Sequence, residues 1–438
     1  VEQTAAYLRE YLPFAAEVFV HYSNLDPALR REVEDGFAAA AVAICVCTST
    51  LELGIDIGSI DDVVLIGPPP TVTSFLQRIG RGGRRTARTQ VLCLARSALD
   101  EVRFQALLAL TAPSPVSPSP VSPSPIADPS SLPTYHFRLS VLVQQIFSML
   151  KQSPTGGVRL ADLQRVLPEP VAERVLRSLL ENLTILGYVQ PGRLGEWRAG
   201  PTLDELLDAH EIYSNIGADP LAALVVDAYT GRTLAQTERI RLQGDTLMLG
   251  GRLLEVVWRD RYKIGVRPLD QGIAEEELRF LTAPFAVPLD VAQAVATAMG
   301  LQAGQMVLLH EERGAWLFHF WGDLYGEWLA ALLNHFFDPR GDVALVTSHN
   351  EYCLLLPTGI TQLPPWRDSL AQRQLRRLLP RVEPFLEVGR FHSLLPPAVA
   401  DEVVIALCDT PRFERLYCAA QIVTPSAPLR AQLTRLLG

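Results

Sequence analysis

Over the first hundred residues, short apolar runs bounded by polar turns alternate with stretches whose apolar positions recur at helical spacing. Val18 to Tyr22, Val42 to Thr48, Val63 to Ile66 and Gln90 to Leu94 read as strands, and Val1 to Leu12, Pro27 to Ala39 and Thr73 to Arg78 as helices. Strands separated by crossover helices predict a parallel α/β sheet. The pattern stops at Pro113 to Pro133, where the unit P-S-P-V-S repeats. Such a segment cannot bury a core and predicts an extended, polyproline-like linker.

Beyond the linker, Phe137 to Leu150, Leu160 to Val166 and Val171 to Leu186 carry helical periodicity and are followed by a turn-rich stretch to Gly200. Three helices followed by a β-wing is the layout of a winged helix. From Leu221 to Leu269 short alternating strands predict a small β-barrel or β-rich domain. Mixed α and β follow, with apolar helices at Ala292 to Met299 and Tyr325 to Phe336. The expected fold class is multidomain α/β plus α+β. Its parts are an incomplete RecA-like sheet over 1–111, the linker over 112–134, a winged helix over 135–212, a β-barrel-like domain over 213–275 and a C-terminal α/β region over 276–438.

Composition narrows the class. The 438 residues carry a net charge of -9, which excludes a uniformly cationic protein but not a local basic groove. Arg78, Arg81, Arg84, Arg85, Arg88 and Arg96 fall together with no acidic residue among them. No run of 18 apolar residues and no secretion signal is present, so the expectation is a cytoplasmic protein without a membrane partner. The six cysteines form no C-x-x-C pair, so they are expected as reduced thiols without metal.

Thr48-Ser49-Thr50-Leu51-Glu52-Leu53-Gly54-Ile55-Asp56-Ile57-Gly58 closes a strand, where open α/β sheets present their ligand loops. Thr48 and Ser49 can donate to phosphate oxygens, Gly54 lets backbone approach closely, and Asp56 can accept from ribose hydroxyls. A capped turn, with Asp56 bonded locally, would look the same. About twenty residues on comes Gln77-Arg78-Ile79-Gly80-Arg81-Gly82-Gly83-Arg84. Two arginines three apart, flanked by glycines, can aim two guanidinium groups at one anion, the stereochemistry of an arginine finger. Alone, R-G-G-R is more often a solvated basic turn; its pairing with the earlier motif favours the phosphate reading.

Together, T-S-T-L-E-L-G-I-D-I-G and Q-R-I-G-R-G-G-R resemble motifs V and VI of superfamily 2 helicases, and the intervening G-P-P-P-T-V-T-S-F-L-Q-R-I-G-R-G is most similar to the Lhr-like group. The resemblance implies the C-terminal part of an ATP-dependent DNA helicase, with DNA repair as its setting. Its second RecA-like lobe would offer Gly54, Asp56, Gln77, Arg81 and Arg84 to ATP and Mg2+ held mainly by a first lobe. Gln77, Arg81 and Arg84 would be the catalytic set, and Thr48, Ser49 and His21 would touch nucleic acid. His21-Tyr22-Ser23-Asn24-Leu25 is similar to the family's H-x-G-S-L turn but departs from it at Ser23 and Asn24.

Hydrolysis needs G-x-x-x-x-G-K-[S/T] and a D-E-x-H-type pair. Lys151 and Lys263 are the only lysines and neither lies in such a loop. The Asp-Glu pairs at 100, 204 and 401 lack the histidine and read as solvated charges. The chain is therefore expected to be inactive by itself, to lack the first strand of its lobe, and to be of lowered stability over residues 1–110. Its expected partners are single-stranded or partly duplex DNA, with RNA as an alternative, and a first RecA-like lobe. Arg174, Arg177 and Asn182 are placed on an outward helix face for DNA, against the alternative that the module packs as a hinge. Trp197, Trp258, Trp316, Trp321 and Trp328 read mostly as core, and His310, His319, His335 and His349 as structural. The competing function class is a non-catalytic nucleic-acid-binding protein derived from a helicase.

Overall fold

The computed structural model describes residues 2–12, 17–21, 27–48, 51, 60–83, 90–111, 138–153, 156–167, 171–208, 212, 223–231, 233–237, 246–249, 252–259, 263–269, 276–277, 286–311, 314–340 and 345–437. The linker, most of the Thr48 to Gly58 motif and Arg84 lie outside them.

The N-terminal elements are α1 (Glu2–Tyr11), β1 (Glu17–His21), α2 (Pro27–Ala39), β2 (Ala43–Cys47), β3 (Asp62–Ile66), α3 (Val72–Ile79), β4 (Gln90–Leu94) and α4 (Ala98–Thr111). β1 pairs with β2 and β3 with β4, both in parallel, each with the intervening helix that a parallel connection requires. Strand alternation turns Val63, Leu65 and Cys93 into a core and leaves Val64, Ile66, Leu92 and Leu94 exposed on the other face.

Next come α5 (Leu139–Gln152), β5 (Gly157–Arg159), α6 (Leu160–Val166), α7 (Glu173–Ile185), β6 (Val189–Pro191), β7 (Glu196–Ala199) and α8 (Pro201–Asp208). The three strands form an antiparallel sheet in the order β5-β7-β6. Its helices close on Leu142, Ile146, Phe147, Leu176, Leu180 and Leu183. β8 (Ala223–Asp227), β9 (Thr233–Thr237), β10 (Thr246–Leu249), β11 (Arg252–Arg259), β12 (Lys263–Pro268) and β13 (Glu276–Glu277) follow, ordered β13-β10-β11-β12-β8-β9.

The remainder holds α9 (Leu289–Ala298), β14 (Gln305–Glu311), β15 (Gly314–Phe318), α10 (Gly322–Phe337), β16 (Thr347–Asn350), β17 (Cys353–Leu356), α11 (Asp368–Val382), α12 (Pro397–Leu407), α13 (Thr410–Ala419), β18 (Gln421–Val423) and α14 (Ala427–Arg435). Its sheet runs β16-β17-β15-β14-β18, antiparallel except where β18 joins β14.

Two units result, both discontinuous in sequence. One comprises Val1–Pro118, Phe285–Pro365 and Leu416–Gly438, the other Ser119–Pro284 and Trp366–Arg415. In the first unit α4 and the C-terminal α/β elements share one core, with Phe104 and Leu107 in the same cluster as Val291, Val295, Phe318, Phe320, Tyr352, Leu433 and Leu436. Arg103 Nη1 donates to Glu351 Oε1 at 3.2 Å across the same junction, both side chains largely buried. Nearby, Asp323 accepts from the Val287 N–H at 2.7 Å, and burial pushes its carboxyl up to about 6. His319 Nδ1 accepts from the Trp321 N–H at 3.0 Å, and burial pushes the imidazole down to about 3, so the ring stays neutral at physiological pH.

Two expectations are corrected. Asp100 is not solvated: its Oδ2 accepts from the backbone N and from Nε of Arg96, and its own N–H is capped by Ser97 Oγ at 3.1 Å. Asn182 does not face outward, because its Nδ2 donates to the Leu394 carbonyl at 2.8 Å within the second unit.

Candidate nucleotide and nucleic-acid site

The C-terminal ends of parallel strands are where an open sheet holds its ligands. At the β1–β2 end, the Thr48 N–H donates to the His21 carbonyl at 3.3 Å, extending the ladder by one residue and leaving Thr48 exposed at the tip. The His21 ring is 1% exposed, with Nε2 3.0 Å from Glu34 Oε1 of α2. The expected contact of His21 with nucleic acid is corrected accordingly: a ring turned inward onto a carboxylate does not reach a phosphate.

The second motif is built on α3. Thr71 caps it, its Oγ1 accepting from the Ser74 N–H at 3.1 Å, and Phe75 anchors it in the core. Gln77 and Arg78 ride half-buried on its last turn. Gly80 ends the helix, and a tight turn follows in which Arg81 N donates to the Arg78 carbonyl and Gly82 N to that of Ile79, both at 3.2 Å. Gly83, at a φ of 68°, then donates to the Ile60 carbonyl at 2.9 Å, and Gly82 bridges Ile60 in parallel. The chain just after the first motif is thereby stitched to the arginine turn of the second. Glycine adopts that φ without strain, which is the physical reason for a glycine at 83.

Arg81 is half-buried on this turn, and Gln77 lies one helical turn before it. Ser49, Gly54, Asp56 and Arg84 are outside the described residues. Among the described residues no group of three His, Cys, Asp or Glu side chains is placed to share a metal ion. In the second unit Arg174 and Arg177 are exposed on α7, with Arg177 Nη2 bound to Glu173 at 2.6 Å, an exposed pair of small energetic weight.

Sequence reasoning missed the pairing of Arg96 with Asp100 and the burial of that carboxylate. The S-A-L-D wording at 97–100 was the available signal, since a serine followed three residues later by an acid marks a capped helix start.

The helicase conserved C-terminal domain matches residues 1–86, a span that contains both motifs. ATP-dependent helicase Lhr-Core protein 2 of Thermococcus barophilus is 43% identical over 104 residues, 23% of this chain and 12% of that protein. Over this N-terminal span the chain is similar to the Lhr-type ATP-dependent helicases. ATP-dependent helicase Lhr-Core of Methanothermobacter thermautotrophicus extends the likeness to 276 residues at 26% identity, 58% of this chain and 30% of that one. The solved Mycobacterium smegmatis helicase Lhr, bound to ssDNA and AMP-PNP, shares the fold over 100% of this chain and 64% of its own, with TM-score 0.52 and 15% identity. The chain thus spans 12% and 30% of the lengths of these two curated relatives where it matches them. Among its described residues, no helix is long and apolar enough to cross a membrane.

Proposed function

We propose that this chain is the part of a cytoplasmic ATP-dependent DNA helicase that supplies motifs V and VI, together with nucleic-acid-guiding modules. The single observation that carries the reading is the backbone stitch between Ile60, two residues past the first motif in sequence, and the Gly82-Gly83 turn that follows Arg81. When bound with Mg2+ on a partner lobe, ATP supplies the transferable phosphoryl group. Arg81 and Arg84 neutralise the charge that develops on the phosphate oxygens, Gln77 orients there, and Asp56 with Gly54 borders the nucleotide. Thr48 and Ser49 hold a phosphodiester at the strand tip. The elements α5–α7 with β5–β7 are read as a winged helix and β8–β13 as a barrel-like guide, with Arg174 and Arg177 available to DNA. Opening and closing of lobes through each cycle moves the strand.

A second reading, a nucleic-acid-binding protein without catalysis, is favoured by the lysines: Lys151 lies in α5 and Lys263 in β12, neither in a phosphate loop. ATP hydrolysis stimulated by single-stranded DNA distinguishes the two, measured for the chain alone and mixed with a first lobe of the same family. Turnover in the mixture that drops about 10³-fold or more with Arg81→Ala supports the motor. Silence in both, with DNA binding intact, establishes the binding protein.

A further inference from the structure

At the ends of β3 and β4 one side chain is held by two unrelated features. Arg96 follows β4 by two residues, and both its backbone N and its Nε donate to Asp100 Oδ2 at 3.1 Å. That carboxylate is only 11% exposed and stands on the helix start that Ser97 caps, whereas the Arg96 side chain is 68% exposed. On the neighbouring strand end, Gly67 sits at a φ of 79° with its N–H on the Leu94 carbonyl at 2.9 Å. A Cβ at Gly67 would lie 2.5 Å from Arg96 Nη2 and 2.9 Å from Cζ. The guanidinium therefore lies across a backbone bare of side chain, bound at Nε by the carboxylate, on a side chain largely open to solvent.

An arginine paired with a carboxylate four residues on needs no glycine beneath it. A planar guanidinium held at Nε by a carboxylate, on a largely exposed side chain, keeps terminal N–H donors for capture of an oxyanion. The helices α3 and α4 both begin beside these strand ends, so their N-terminal dipoles add to the local positive potential. We propose that Arg96, lying on Gly67, is a phosphate-binding residue of the lobe, distinct from the arginine turn at 78–84. The oxyanion is a phosphodiester of the nucleic acid or a phosphate of the nucleotide. This inference rests on the helicase reading above.

The test is fluorescence anisotropy of the 438-residue chain with a labelled single-stranded oligodeoxynucleotide over a salt series, with AMP-PNP binding measured in parallel. Arg96→Ala is expected to weaken oligonucleotide binding roughly tenfold and to lower the salt slope by about 1. Arg96→Lys should restore the slope while recovering only part of the affinity, because charge returns without the fork. A purely structural Arg96 would shift the melting temperature and leave the slope untouched. If Arg96→Ala spares the oligonucleotide but loses AMP-PNP, the site stands with the nucleotide as its source. If the unmodified chain binds and Arg96→Ala changes neither ligand, the Arg96 site is overturned alone. If the unmodified chain binds neither, the helicase reading and this site fall together.

Discussion

Leu107 lies at 0% exposure on α4, in the cluster that also holds Val291 and Val295 of α9. Truncation to alanine removes a buried isobutyl group from a site lined by both elements, at a cost of about 2–5 kcal/mol. If residues 98–111 and 289–298 open as one cooperative unit, 3 kcal/mol accelerates amide exchange about a hundredfold in both. Exchange mass spectrometry on the intact chain reads α4, β4 and α9 in separate peptides, and α7 serves as the control because its core does not include Leu107. The expected outcome for Leu107→Ala is matched acceleration in α4 and α9 with α7 unchanged. Acceleration confined to α4 and β4, with α9 as protected as before, refutes the shared core.

Two further outcomes follow from the same region. The Asp323 carboxyl is raised to about 6 chiefly by burial, so its protonated form is the one the fold prefers. Its contribution is complete below the ordinary carboxylate range near 3.8 and is lost as pH rises through about 6. Asp323→Asn, which keeps an acceptor for the Val287 N–H, should raise denaturation midpoints at pH 8 by the equivalent of roughly 1–3 kcal/mol and leave them unchanged at pH 4. Gly326 faces the buried His319 ring, and a Cβ there would stand 2.7 Å from Cε1. Gly326→Ala is expected to cost about 1–3 kcal/mol in urea unfolding, whereas an unchanged midpoint would mean the ring has room to move.

What the sequence made legible was local. The limits of α2 and α6 coincide with those read from Pro27 to Ala39 and Leu160 to Val166, and the strand at Gln90 to Leu94 is where its apolar alternation put it. The arginine turn was equally legible, since glycines at fixed offsets from Arg81 report backbone geometry directly. Long-range partners were not. Periodicity marks the apolar face of α4 but cannot say that α9, nearly two hundred residues on, covers it. His21 belonged to a plausible surface turn until Glu34 of α2 folded over it. Asp100 looked solvated because its pairing with Arg96 depends on how the chain leaves β4, a matter of dihedral angles rather than composition.

The interleaving of the two units bears on how the protein is made. Phe104 and Leu107 leave the ribosome early, yet the residues that cover them begin at Val287 and end with Leu433 and Leu436. At ordinary elongation rates the nascent chain carries that bare apolar face for roughly ten to forty seconds before α9 is even available. A chain terminated anywhere between the lobe and α14 keeps part of it uncovered. Premature stops in this gene should therefore yield products that bind chaperones or aggregate rather than stable lobes.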